Sequence, residues 1–157
     1  MEKTLVIIPE KCTGCRTCEV VCSFNKEGEF IPVLARVRVL EKEGLSFPMM
    51  CQRCEDAACM AACPVEAISR HEVTGAIIVN DELCIKCEAC VGACPYGSIV
   101  YQSAKDLIAV CNLCGGEPEC AKYCQAGAIV YGEADEVTLS KKEAAAAKYI
   151  ESFGGEK

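Results

Sequence analysis

At 157 residues with a formal charge of −7, the chain is one ordinary domain or two very small ones fused, and its acidic balance argues against a nucleic-acid or anionic-membrane partner. Aromatics make up only 6% of residues and Trp is absent, which excludes a rich organic core; sixteen cysteines stand where one would be expected.

The chain opens on Leu5–Ile8, an apolar stretch far shorter than a secretory signal core, and no run approaches a membrane span. Thiols in such number then imply a soluble protein of a reducing cytoplasm. A short strand over Leu5–Ile8 leads into the first run, Cys12, Cys15, Cys18 and Cys22, spaced C-x2-C-x2-C-x3-C. The 28 residues before the next cysteine form the longest gap and read as an insertion. Within them Ile31 to Leu40 alternates as a half-buried strand, with Arg36 and Arg38 on one face.

The second run, Cys51, Cys54, Cys59 and Cys63, is expanded to C-x2-C-x4-C-x3-C. Pro64 turns the chain, and Ser69 to Val79 predicts a hairpin with Val73–Gly75 at its tip, placing His71 on the surface. Ala76–Val79 then leads into the third run, Cys84, Cys87, Cys90 and Cys94, which repeats the compact spacing. After Pro95, Ile99–Tyr101 and Leu107–Val110 predict a second hairpin turning near Ala104–Asp106. The fourth run, Cys111, Cys114, Cys120 and Cys124, is spaced C-x2-C-x5-C-x3-C, with Gly115–Gly116 absorbing the extra length. Ser140–Glu143 is a capping box before Ala144–Ala147, so a helix is expected from about 140 to 153, ended by Gly154–Gly155. It either covers part of the core or docks on a partner.

Every run thus delivers four thiols, and a short apolar segment follows the second, third and fourth runs after a turn. The spacing is that of [4Fe–4S] cubanes: a tight loop wraps three sulfurs around one cluster, and the fourth, three residues on, reaches the other cluster of a pair. Thr13, Gly14, Ala89, Gly92 and Ala93 keep the loops small enough for backbone N–H groups to turn inward. Zinc ribbons use two separated C-x2-C pairs and would leave sulfurs unused; C-x-x-C-H is absent, so no c-type haem is attached. Four thiolates per cubane consume all sixteen, which predicts four [4Fe–4S] clusters.

Between Cys63 and Cys84 lies the internal layout of a whole two-cluster ferredoxin, so the second and third runs are expected to pair. The expected ligand sets are Cys51, Cys54, Cys59 with Cys94, and Cys63 with Cys84, Cys87, Cys90. The outer runs then supply Cys12, Cys15, Cys18 with Cys124, and Cys22 with Cys111, Cys114, Cys120. A sequential scheme, first with second and third with fourth, remains open, although the long gap disfavours it. The expected fold is α+β: two nested ferredoxin-like modules of short antiparallel hairpins and short helices, with a C-terminal helix. Residues 1–139 form the cluster domain, its inner module at about 48–106 and its outer module from 1–47 plus 107–139; residues 140–157 form the tail.

In its nested run order and expanded second and fourth runs, the chain resembles the four-cluster iron–sulfur subunits of molybdenum and tungsten oxidoreductases of the dimethyl sulfoxide reductase type. The resemblance covers residues 5 to about 132. In compactness it is most similar to the small electron-transfer subunit of tungsten aldehyde oxidoreductases, or to hydrogenase-linked small ferredoxins. No cysteine is replaced by Trp or Asp, so the resemblance implies four [4Fe–4S] clusters and no [3Fe–4S]. It also implies that the cluster on Cys12, Cys15 and Cys18 faces a larger molybdenum- or tungsten-pterin subunit. The expected function is one-at-a-time electron relay between that subunit and a further redox subunit, a ferredoxin or further copies of the chain. A freely diffusing polyferredoxin or hydrogenase-linked carrier is the alternative. With no nucleophile–base set, no G-x-G-x-x-G and no P-loop, the chain is expected to be non-catalytic.

Overall fold

Short apolar segments punctuated by glycine pair locally wherever the chain can turn. The computed structural model describes residues 3–133 together with Lys142 and Ala146. The chain is a small mixed α/β structure in which eight strands form four antiparallel pairs among the described residues.

Two pairs are the expected hairpins. β4 (Ile68–Arg70) pairs with β5 (Ile77–Val79), Ile68 facing Val79. The tip is closed by His71 and Gly75, whose N–H groups donate to Ala76 O and His71 O at 2.8 and 2.9 Å. His71 is exposed. β6 (Ile99–Gln102) pairs with β7 (Leu107–Val110), Ile99 facing Val110. β1 (Lys3–Ile7) instead pairs with β8 (Ile129–Glu133), Ile7 opposite Ile129, so the two ends of the described chain lie in one ladder.

The gap after the first run departs from expectation. Ile31 to Leu40 is not one strand: Pro32–Leu34 forms a 3-10 turn, and only Arg38–Lys42 (β2) is extended. Pro32 fixes φ and donates no N–H, so a strand cannot run through it. β2 pairs with β3 (Leu45–Met49) across Glu43–Gly44, both at positive φ (53° and 80°), as a two-residue hairpin turn requires. Arg36 does not share a solvent face with Arg38; its side chain is nearly buried against Glu27.

Helices take up the third cysteine of every run: α1 (Thr17–Glu27) carries Cys18 and Cys22, α2 (Ala58–Ala61) Cys59, α3 (Ala89–Ala93) Cys90, and α4 (Glu119–Lys122) Cys120. α1 is the long one and stops at Gly28, which takes φ 73° and donates its N–H to Phe24 O. Two buried clusters result. One gathers Leu5, Val37, Val39, Met50, Leu113 and Ile129 around the sulfurs of the first and fourth runs. The other gathers Ile68, Ile77, Ile99 and Ile108 around those of the second and third. The helix expected at about 140–153 lies outside the described residues apart from Lys142 and Ala146.

Candidate metal centres

The four C-x-x-C loops share one backbone device. The residue before the second cysteine is left-handed in each: Gly14 (φ 71°), Arg53 (52°), Lys86 (57°) and Leu113 (55°). Such a conformation costs a residue with a Cβ about 1 kcal/mol or more, and it persists because it turns the loop's N–H groups inward. Three of the four occupants are not glycine. Spacing alone could not reveal this strain.

A second device serves the fourth cysteine. Glu66, Gly97 and Gly127, each three residues after it, take φ 52°, 59° and 65°. The next N–H then donates to the sulfur: Ala67 to Cys63 at 3.2 Å, Ser98 to Cys94 at 3.4 Å, and Ala128 to Cys124 at 3.2 Å. Cys22 lies inside α1 and cannot use that turn. Its sulfur accepts the N–H of Arg36 at 3.2 Å instead, so the insertion supplies the missing donor. Nothing in the spacing of the first run points to Arg36; a donor from outside the run is visible only in three dimensions.

The cysteines gather as follows. Cys51, Cys54, Cys59 and Cys94 line one pocket with Ile77 and Ile99. Cys63, Cys84, Cys87 and Cys90 line another with Val79 and Ile108. For the outer runs, the charge interactions between thiols report neighbours. Cys18 is pushed up to about 12, by burial first and then by Glu19, Cys15 and Cys124. Cys111 is pushed up to about 11, by burial and by Cys22, Cys51 and Cys114. Cys120 is raised by burial, then by Cys111, Cys22, Cys114 and Cys18. Burial also raises Cys22, Cys51, Cys59 and Cys90. Cys12 and Cys124 are both partly buried against the outer core cluster that contains Cys18. Cys15 is the opposite case: hydrogen bonds from the Thr17 hydroxyl and backbone N–H hold its exposed thiol below the ordinary value.

Could this donor set hold cubanes? A single zinc ion draws its sulfurs to within about 4 Å of each other, given Zn–S near 2.3 Å. Among the described residues no group of three or more Cys, His, Asp or Glu is placed to hold one metal ion. Pockets lined by four sulfurs, with N–H groups on those sulfurs, instead fit a wider inorganic cluster. Protonated buried thiols must lose protons on loading, so cluster assembly releases protons here. Among the described residues no helix is long and apolar enough to cross a membrane.

Comparison with known proteins agrees with this donor chemistry. A 4Fe–4S dicluster domain matches residues 43–134, and a 4Fe–4S binding domain matches residues 5–25. The polyferredoxin-like subunit of aliphatic sulfonate oxidoreductase from Pyrococcus furiosus is 46% identical over 121 residues, covering 76% of this chain and 70% of that protein. The B subunit of the anaerobic dimethyl sulfoxide reductase of Escherichia coli is 30% identical over 158 positions, covering 87% and 76%. Among solved structures, a polypeptide of the active-site complex BamBC of benzoyl coenzyme A reductase with bound benzoyl-CoA superposes with TM-score 0.50 at 25% identity. The match covers 98% of this chain and 91% of that one.

Proposed function

This protein belongs to the 4Fe–4S dicluster domain family of iron–sulfur electron-transfer subunits, and from that premise we propose that it is a four-cluster wire serving a separate catalytic subunit. The proposed ligand sets are Cys12, Cys15, Cys18 with Cys124; Cys22 with Cys111, Cys114, Cys120; Cys51, Cys54, Cys59 with Cys94; and Cys63 with Cys84, Cys87, Cys90. Two sulfur-lined cavities support the last two, and the influence of Cys124 on Cys18 and of Cys22 on Cys111 supports the first two. The β1–β8 ladder supports an outer module, residues 1–47 plus 107–139, folded around an inner one at about 48–106. When bound, each [4Fe–4S] cluster takes up and gives back a single electron.

One observation carries the relay reading: neighbouring sulfur sets touch electrostatically in a single file. Cys18 of the first set acts on Cys120 of the next, Cys51 acts on Cys111, and Cys59 acts on Cys90. The two ends of this file reach solvent. Of the sixteen cysteines, Cys15 and Cys87 are exposed, one in each terminal set. The exposed apolar side chains of Val65 and Ile85 line the same pocket as Cys87, whereas the chain neighbours of Cys15 are the polar Thr13, Arg16 and Thr17. Ends this different suit two different partners.

The catalytic partner we propose is a tungsten- or molybdenum-pterin subunit, as in the tungsten aldehyde oxidoreductase type, in the reducing cytoplasm that sixteen metal-ligating thiols need. Among its relatives, subunits of a sulfonate oxidoreductase and of a dimethyl sulfoxide reductase favour a subunit over a free carrier. Anaerobic pull-down with metal analysis tests this. Co-purification of a larger polypeptide carrying tungsten or molybdenum is expected, with about sixteen irons per copy of this chain. Elution alone, with equal reduction of several unrelated enzymes, would establish a freely diffusing polyferredoxin instead.

A further inference from the structure

We propose that Arg53 and Arg70 make the second-run set the electron-holding station of the wire, raising its reduction potential above the other three. The inference rests on the assignment of Cys51, Cys54, Cys59 and Cys94 to one cluster. Reduction adds a negative charge to a group that is already anionic, so a fixed cation in a part-buried site stabilises the reduced form. The four sets differ sharply in which fixed charges face them.

At the second run two guanidiniums are folded onto the ligand loop itself. Arg70, at the end of β4, donates to the carbonyls of Gly75 at 3.1 Å, Arg53 and Glu55 at 3.3 Å, and Cys54. Arg53 lies within the loop and donates to Cys51 O at 3.0 Å and Leu5 O at 3.1 Å. Its charge acts directly on the Cys51 sulfur. Both arginines are only partly exposed, and among the described residues neither has a carboxylate in ion-pair range. Glu55 and Asp56 are close in sequence but exposed, where water and salt screen them.

Elsewhere, Lys26 apart, the cations are paired with carboxylates or the sign is reversed. Arg36, beside Cys22, is paired with Glu27; Lys86, beside Cys87, is paired with Asp106. At the fourth run Lys122 is paired with Glu117 and Glu119, and Lys26 rests on the neutral Asn112 at 2.6 Å. The first set faces a buried carboxylate: Glu19 is 2% exposed, follows Cys18 directly, and accepts the N–H of Val39 at 2.7 Å. Its one ion-pair partner among the described residues is the half-exposed Arg38 at 3.9 Å, and its charge opposes further negative charge at the Cys18 sulfur. An electron entering at the Cys15 end therefore moves from a disfavoured site to a favoured one, two sets inward.

A clamp on four carbonyls could equally just shape the expanded loop, and the test must separate the two roles. The experiment is a dithionite titration of anaerobically purified holoprotein, followed by electron paramagnetic resonance and by iron content per chain. The wild type should show one signal that reduces first. Arg70→Gln and Arg53→Gln should each move that signal to lower potential, leave the other three in place, and retain full iron. Arg70→Lys should keep it near wild type, and Glu55→Gln should leave it unmoved. Unshifted potentials at full iron content, or an equal shift of all four signals, would overturn the proposal. Loss of iron from all three arginine variants, lysine included, would also overturn it and make the arginines purely structural. Fewer than four clusters in the wild type would defeat the underlying ligand assignment, which is a separate failure visible before any variant is titrated.

Discussion

The inner and outer halves bury the same kind of sulfur-bearing loop by opposite routes. Inside, β4 closes on β5 and β6 on β7 through turns of a few residues, pairing Ile68 with Val79 and Ile99 with Val110. Outside, β1 must find β8, with Ile7 against Ile129 and the whole inner half lying between them in sequence. Local pairing fixes few residues for each contact won, whereas the outer ladder forms only after a long loop has closed. The outer half also recruits parts the inner half lacks, namely the β2–β3 hairpin and a long α1. On the nesting proposed above, the inner half is a self-contained unit and the outer half a wrapper that depends on it.

The largest break in this comparison comes from the crossing ligands. Cys124→Ser should strip iron from the first-run set and leave the inner half loaded, removing about a quarter of the iron per chain. Cys94→Ser should strip the second-run set and, because the outer ladder closes around the inner half, also loosen β1 from β8. Iron analysis and hydrogen exchange at Leu5 and Ile129 check both. Inner loss without outer loosening would mean that the halves fold independently.

Contacts between the proposed halves converge on one residue. Glu27, at the end of α1, takes hydrogen bonds from Arg36 in the insertion and Lys105 in the β6–β7 turn, and its carboxylate is almost fully buried. Gln102 adds a bond from its amide to Leu34 O at 3.0 Å. Burial works against the Glu27 charge, but the hydrogen bonds from Lys105 and Arg36 outweigh it and hold the carboxyl below its ordinary value. A lowered carboxyl contributes stability that is present above the ordinary carboxylate range and is lost as pH falls through the folded value. Glu27→Gln should cost about 3 kcal/mol at neutral pH, because it leaves Arg36 buried without its charge partner. The difference in stability between wild type and variant should shrink as the pH falls below about 4, read by anaerobic denaturant titration. A difference that is constant with pH would show that the carboxylate charge does not hold the halves together.

What could be read in the sequence follows the same division. The inner hairpins announce themselves because Ile, Val and Gly fall at short, regular offsets, and the cysteine spacing carries the chemistry wherever the ligand loops are local. The insertion was illegible for physical reasons. Glu43–Gly44 is an unobtrusive hairpin turn, Pro32 cuts a run that otherwise alternates like a strand, and Arg36 acts through a backbone N–H that no side-chain pattern encodes. Arg70 reads as an ordinary strand residue until the fold brings it to the Cys54 carbonyl. The left-handed Arg53, Lys86 and Leu113 contradict local preference, so sequence reasoning fails there just where the loops must bend around metal.

The smallest test concerns that strain directly. The turn after the fourth cysteine uses Gly127 in the outer half and Gly97 and Glu66 in the inner half, all left-handed so that the next N–H reaches the sulfur. Glu66 is exposed, so its Cβ strain is offset by the metal site rather than by packing of its own side chain. Glu66→Gly should therefore stabilise the inner half by up to about 1 kcal/mol, and Gly127→Ala should destabilise the outer half by about the same amount, since a Cβ there meets nothing closer than Lys11 Cδ at 4.0 Å. Thermal unfolding of the loaded protein reads both signs. Equal destabilisation by both changes would mean that the Glu66 side chain is held by contacts of its own, and the strain argument for the inner turn would fail.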